Sequence, residues 1–252
     1  MRAALRYLAV IAAIGLCWKA LALGPAGDVL PHPEEALAAF ARQLLRAEFW
    51  EHTRASTLRA VAAMVIAWGT AFPLGVLMGS VKRLDRALAP FIFLTYPVPK
   101  IVLLPVFLLL LGLGEASRIG MIALILAYQI LVTTRDGVLA INPKYLDTIH
   151  SLGGTYRHAL RHVLIPAALP HGFTALRLGT GVSVAVLFFV ENFATRHGLG
   201  YFIMDSWGRL NYDDMFAGIF GMSALGVVLY EATNGLERRA CRWQRRQGGG
   251  SG

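Results

Sequence analysis

Six long apolar runs separated by short basic segments leave this chain few ways to fold. They lie at about 7–23, 58–80, 88–111, 117–134, 167–190 and 214–236, each near the roughly 20 residues a helix needs to cross a bilayer. Backbone in hydrocarbon must satisfy its own N–H and C=O groups, so each run is expected to be a helix and the chain an all-α integral membrane protein. Only 15% of the 252 residues are charged, against about 25% in an ordinary soluble domain. No long-period repeat or second domain is visible.

The net charge of +9 is scattered between the apolar runs, which suits topology signals and lipid contacts and gives no reason to expect nucleic acid. Fourteen Lys and Arg residues fall in the alternate loops that include both termini, and seven fall in the others. Lys19, Lys100 and Arg177 lie within or at the edges of runs and belong to neither set. Cytoplasmic loops carry the basic excess, so both termini and the loop leading to Pro166 are expected inside. Cys17 and Cys241 would sit at different depths, and no disulfide is expected. The first run has some look of a secretory signal, but Trp18 and Lys19 interrupt the cleavage pattern and its length suits a span. Between the first two runs Leu37, Phe40, Leu44 and Leu45 recur at helical spacing among charged residues, predicting an amphipathic surface helix. The closing Gly248-Gly-Gly-Ser-Gly252 has the composition of an engineered flexible linker.

Several chemistries lack their residues. No Gly-x-x-x-x-Gly-Lys-Ser/Thr phosphate loop occurs, so any ATP energy would have to come from another subunit. His158 and His162 have the four-residue spacing of two metal ligands, but Ala159 stands where the zinc-hydrolase motif needs Glu, and Arg157 and Arg161 make a solvated basic face. There is no Gly-x-Ser-x-Gly elbow, and the carboxylates are too dispersed to nominate an acid/base pair. No catalytic, metal-binding or cofactor-binding residue is therefore nominated.

Other polar residues sit inside apolar runs. The third run carries Tyr96-Pro-Val-Pro-Lys-Ile-Val-Leu-Leu-Pro105. Its prolines free backbone carbonyls, which membrane proteins tolerate where a broken helix packs on protein or lines a cavity. Tyr96, Pro97, Pro99 and Lys100 are thus candidates for a solute pathway, with a snorkelling Lys100 as the alternative. Arg177 must face protein, water or an anion. Glu191 and Asn192, at the end of the fifth run, are candidates for a gate, an entrance or a simple helix end. Gly75 and Gly79 form a small-residue face for close helix packing.

The most patterned polar stretch is Asp147-Thr-Ile-His-Ser-Leu-Gly153, followed after nine residues by Val163-Leu-Ile-Pro166. It predicts a short amphipathic helix, a corner at Gly153 and Gly154, and a second basic helix ending at Pro166. That arrangement suits docking of a partner.

These residues resemble the permease subunits of ABC importers, of the nitrate/sulfonate/taurine type. The family signature runs Glu-Ala-Ala, three residues, Gly, nine residues, then Ile-x-Leu-Pro. Here it reads Asp147-Thr148-Ile149, Gly153 and Val163-x-Ile165-Pro166, keeping acid, glycine and proline in register while replacing both alanines. Ser56-Thr-Leu-Arg59, the third-run prolines, Gly112-Leu-Gly-Glu-Ala-Ser117 and Gly198-Leu-Gly-Tyr201 agree in order. The resemblance implies a type I importer fold with six transmembrane helices: a five-helix core at 54–236 after an N-terminal helix and surface helix at 1–53. A coupling helix at about 143–154 and a basic tail at 237–247 complete it. Asp147, Thr148, Ile149, His150, Leu152, Gly153, Gly154 and Pro166 would engage the ATPase. Two permease copies, two cytoplasmic ATPases holding ATP and Mg, and an extracytoplasmic binding protein would form an importer in the cell's inner membrane. This chain would carry no cofactor itself, and its solute would be a small anion or aromatic such as a sulfonate or nitrate. The alternatives are an integral-membrane enzyme, which needs a convergent polar cluster, and a scaffold, which leaves the proline-broken run unexplained.

Overall fold

The computed structural model describes residues 2–24, 29–193 and 195–243, and their regular structure is helical throughout. The order is α1 (Arg2–Ala22), α2 (Pro33–Gln43), α3 (Ala47–Ser80), α4 (Lys82–Thr95), α5 (Leu104–Leu111), α6 (Glu115–Leu139), α7 (Pro143–Ser151), α8 (Tyr156–Ala159), α9 (Ile165–Glu191), α10 (Leu199–Gly208) and α11 (Tyr212–Ala240). A 3₁₀ turn, Lys100–Leu103, leads into α5, and a π-helical turn, Leu160–Leu164, joins α8 to α9. The expected linker at 248–252 and the end of the basic tail, 244–247, lie outside the described residues.

Four stretches are long and apolar enough to cross a membrane: Ala47–Ser80, Glu115–Leu139, Tyr156–Glu191 and Tyr212–Ala240. A fifth is α4 with Lys100–Leu111, bent by 90°. In α1 the apolar stretch Ala12–Ala22 is shorter. The six apolar runs thus correspond to four spanning helices, a broken pair and an N-terminal helix. Pro73, Pro90 and Pro170 are accommodated inside helices, whereas Pro97 and Pro99, close together, fall in the break between α4 and the 3₁₀ turn.

Two compact units are present. The first comprises residues 1–56 and 191–225. Its aromatic core joins Trp18 to Phe216 and Phe220, and Phe49 to Phe40 and Phe202. The surface helix α2 is present. Its buried residues are Ala36, Ala39 and Gln43, while Leu37 and Leu45 are exposed. Small side chains allow close helix approach, and Gln43 donates to Asp214 at 2.6 Å. At the helix start Lys19 donates to Glu34 at 2.7 Å, and that hydrogen bond holds the carboxyl below its usual range.

The second unit comprises residues 57–190 and 226–252. Met121, Ile122, Leu126 and Ile130 form a fully buried stripe on α6, at the i, i+4 and i+8 spacing of one helical face. Gly75 and Gly79 bring α3 against α6. A Cβ at Gly75 would lie 2.8 Å from the Leu131 carbonyl and 2.9 Å from Thr134 Cβ. Helices in lipid associate through such packing because no hydrophobic gain separates them from lipid tails. Gly75→Leu is therefore expected to destabilise the chain by about 3 kcal/mol, an overpacking cost, read as an earlier thermal unfolding midpoint in detergent. Gly69→Leu, where an added Cβ meets nothing within 4 Å, is expected to leave the midpoint unmoved.

Candidate functional site

The patterned loop folds into a helix closed at both ends. Asn142 caps α7 by accepting from the Lys144 N–H at 3.0 Å, and Pro143 occupies the first turn, where no N–H is needed. At the other end the Gly153 N–H bonds the His150 carbonyl at 2.9 Å and the Gly154 N–H bonds the Ile149 carbonyl at 2.8 Å. This pair of bonds, with Gly153 at φ +75°, is a Schellman motif. Gly153 supplies the left-handed conformation. Gly154 is needed for space, because a Cβ there would press on Ile149.

No residue of α7 is buried. Leu146 and Ile149 are half-covered, whereas Asp147, Thr148 and His150 are exposed. Tyr145 is 64% exposed and Leu152 80%. Beyond the corner, His158 Nδ1 accepts from the Thr155 N–H at 3.1 Å and starts α8. Tyr156 shares a 2.9 Å hydrogen bond with Ser80 at the end of α3.

The basic helix does not end at Pro166, contrary to the expectation from sequence; helix continues from Tyr156 to Glu191. Proline lacks an N–H and its ring crowds the carbonyl four residues back, here that of His162. The chain absorbs this with the π turn, in which Ile165 donates to Leu160.

At the break between α4 and α5, Lys100 turns back on the freed carbonyls. Its Nζ donates to Tyr96 at 3.1 Å, Thr95 at 3.3 Å and Val98 at 3.4 Å. A cation at a helix C-terminus meets the negative end of the helix dipole. The same ammonium lies 4.0 Å from the centre of the Tyr128 ring, a cation–π contact. Tyr96, Lys100, Tyr128, Gln129, Val182 and Val186 border an open cavity of about 360 Å³. Pro97 and Pro99 form the exposed corner beside it. Tyr128 and Gln129 were not singled out from sequence, although two polar groups in an apolar helix beside a helix-borne Ile125 are a readable signal.

The other candidates separate. Arg177 on α9 pairs with Glu237 on α11 at 3.1 Å. Glu191, in the first unit, is fully buried and does not face water. Its carboxylate accepts from the Ser56 hydroxyl at 2.7 and 2.9 Å and from the Gly200 N–H at 2.8 Å. Ser56 Oγ in turn accepts from Leu199 N–H at 2.8 Å, and His52 Nδ1 accepts from Gly198 N–H at 3.1 Å. Three side chains thus satisfy the first N–H groups of α10, which a helix leaves unpaired. Gly198 sits at φ +137°, and a Cβ there would enter the Glu191 carboxylate. Asn192 is half-buried beside this knot. A polar cavity of about 280 Å³ among Glu48, His52, Arg196, His197, Asp205 and Arg209 lies in the same unit, and neither Glu191 nor Asn192 borders it.

Two ion clusters are not foreseen from sequence. Arg59 holds Glu115 through two bonds at 2.6 and 2.7 Å, and Arg118 holds it at 3.1 Å. Both arginines are buried, so neither is a loop charge. Arg135 grips Asp85 with two nitrogens, at 2.5 and 2.9 Å, fastening α4 to α6. The Arg177–Glu237 pair, by contrast, is one of the outcomes the sequence allowed for Arg177. Partners 50 or more residues away are not readable from spacing.

Comparison with known proteins agrees with this architecture. The family described as binding-protein-dependent transport system inner membrane component matches residues 71–241. The taurine transport system permease protein TauC of Escherichia coli (strain K12) is 30% identical over 219 residues, covering 85% of this chain and 80% of that one. A Bacillus subtilis (strain 168) chain provisionally named aliphatic sulfonates transport permease protein SsuC is 29% identical over 216 residues, covering 86% and 78%. A chain of the MetNI methionine ABC transporter, solved in inward-facing conformations, superposes with a TM-score of 0.62 at 17% identity, over 75% of this chain and 94% of that one.

Spanning helices around a broken pair, with that superposition, define a type I ABC importer permease fold. The chain belongs to the family of binding-protein-dependent transport system inner membrane components. It is a multi-pass inner-membrane permease subunit of an ABC importer, a class that works with an ATPase and a substrate-binding protein.

Proposed function

We propose that this chain is one of two identical permease copies that enclose a pathway for a small organic anion, a sulfonate above all, and that α7 is the handle gripped by a separate cytoplasmic ATPase. The observation that carries the reading is the state of α7: a helix capped at both ends, with no buried residue and with Tyr145 and Leu152 turned outward. An isolated nine-residue helix is marginal in water, so rigid capping of an unburied one suits a docking element. Asp147, Thr148, His150 and Leu152 supply the exposed surface, Ile149, Gly153 and Gly154 the corner, and Pro166 the link into α9. Motion of the ATPase would pass through this link into the span and drive alternating access. ATP and Mg belong to the ATPase, and this chain holds no cofactor.

The solute class is supported by the named substrates of TauC and SsuC and by Lys100. Its ammonium, beside Tyr96, Tyr128 and Gln129, offers one cation and several donors at the break where Pro97 and Pro99 open the backbone. Arg177 is held by Glu237, and Glu191 caps the start of α10. Residues 1–53 act as an N-terminal addition to a core at 54–236, followed by a basic tail at 237–247. The basic excess supports cytoplasmic placement of both termini.

The test uses a single cysteine. With Cys17 and Cys241 changed to serine, Leu152→Cys is expected to react with a membrane-impermeant maleimide in inside-out vesicles and not in intact cells. Adding the ATPase is expected to slow that labelling. Reaction from outside, or labelling indifferent to the ATPase, overturns the reading.

A further inference from the structure

An apolar groove of about 750 Å³ runs between α3, α9 and α11 within the second unit. Val65 and Trp68, Phe173, and Leu229 and Leu236 line it, and Arg239 is its single charged lining residue. Trp68 is half-buried, resting on Phe72 and Phe173 with ring centres 4.8 and 4.5 Å away. Arg239 is exposed, as are Arg238 and Arg242 beside it. None of the three forms an ion pair among the described residues.

The dimensions select an occupant. From Leu229 to Arg239 the helix rises about 15 Å, which is half the roughly 30 Å hydrocarbon thickness of a bilayer. The groove therefore has the length of one leaflet, greasy along its floor and cationic at one end. Trp243, just past the arginines and partly exposed, is the residue type that sits at headgroup level. We propose that the groove seats an acyl chain of an anionic phospholipid whose phosphate is held by Arg239, with Arg238 and Arg242 beside it. Guanidinium groups pair with phosphate through two parallel hydrogen bonds. A second copy of this chain is the poorer occupant. A two-fold axis along the bilayer normal would set two sets of these arginines face to face, at one depth and with like charge.

Trp68 supplies the readout. The full chain is reconstituted with increasing fractions of brominated phosphatidylglycerol or brominated phosphatidylcholine, and the quenched fluorescence that disappears in Trp68→Phe is taken as the groove signal. Phosphatidylglycerol is expected to reach half-quenching at a roughly fivefold lower fraction than phosphatidylcholine, from about 1 kcal/mol per basic contact with an anionic headgroup. Arg239→Gln is expected to erase that preference while leaving quenching by phosphatidylcholine unchanged, which also shows that the variant keeps its groove. Equal quenching by both lipids overturns the proposal in favour of ordinary annular lipid. A Trp68 shielded from both overturns it in favour of a covering protein. Loss of the preference on adding inorganic phosphate overturns it in favour of a free-anion site.

Discussion

Gly153→Val is expected to lower the substrate-stimulated ATPase activity of the assembled importer about tenfold, while Gly153→Asn stays close to the parent. Gly153 sits at φ +75° with nothing within 4 Å of where a Cβ would go, so an added side chain meets no steric wall and any effect is conformational. The left-handed region costs an ordinary residue roughly 1–2 kcal/mol, and a β-branched residue is a marked outlier there. Asparagine tolerates it. Valine would therefore unwind the corner and release both the Gly153-to-His150 and Gly154-to-Ile149 bonds. A strain of about 1.4 kcal/mol lowers the ratio of closed to open corner about tenfold. Because asparagine is as bulky as valine, the contrast separates backbone strain from simple obstruction of the ATPase. Equal assembly and equal stimulated turnover in the two variants would remove the basis for treating α7 as a handle.

The second large effect concerns stability. Glu191→Ala is expected to destabilise the chain by about 3 kcal/mol, because hydrogen bonds to a charged group contribute about 1.5–3 kcal/mol each and buried donors left unpaired are costly. The Ser56 hydroxyl and the Gly200 N–H both lose their acceptor, and the start of α10 loses a cap. At roughly 2–4 °C per kcal/mol, the unfolding midpoint in detergent should fall by on the order of 10 °C. Glu191→Gln keeps one acceptor oxygen and should fall about half as far. A gate residue would behave otherwise: an unmoved midpoint with impaired transport would return Glu191 to the pathway.

The parts legible in the sequence are those whose causes are local. Asn142-Pro143 and Gly153-Gly154 mark the two ends of α7 within a dozen residues, because a cap and a left-handed corner each depend on neighbours along the chain. Pro97 and Pro99 likewise announce the break near Lys100. Where partners are distant, composition is silent. Ser56 and Glu191 meet across 135 positions and Arg59 and Glu115 across 56, and no periodicity records such a pairing. Pro166 misleads for a different reason. A proline usually closes a helix, yet one wide turn before it removes both the missing donor and the clash. In α2 the outward Leu37 belongs to the readable amphipathic pattern, whereas burial of Ala36 and Ala39 depends on partners far along the chain.

The wide turn at Leu160–Leu164 sets an angular phase as well as relieving a proline. Such a turn holds one residue more than regular helix, and each residue advances the face by about 100°. The corner at Gly153–Gly154 and the helix that follows the turn are thus clocked against each other by that single surplus residue. On the proposed grip of the ATPase on α7, a push delivered at the corner would enter the span along a direction this offset selects, and the register of five residues would help decide which side of the helix the stroke moves.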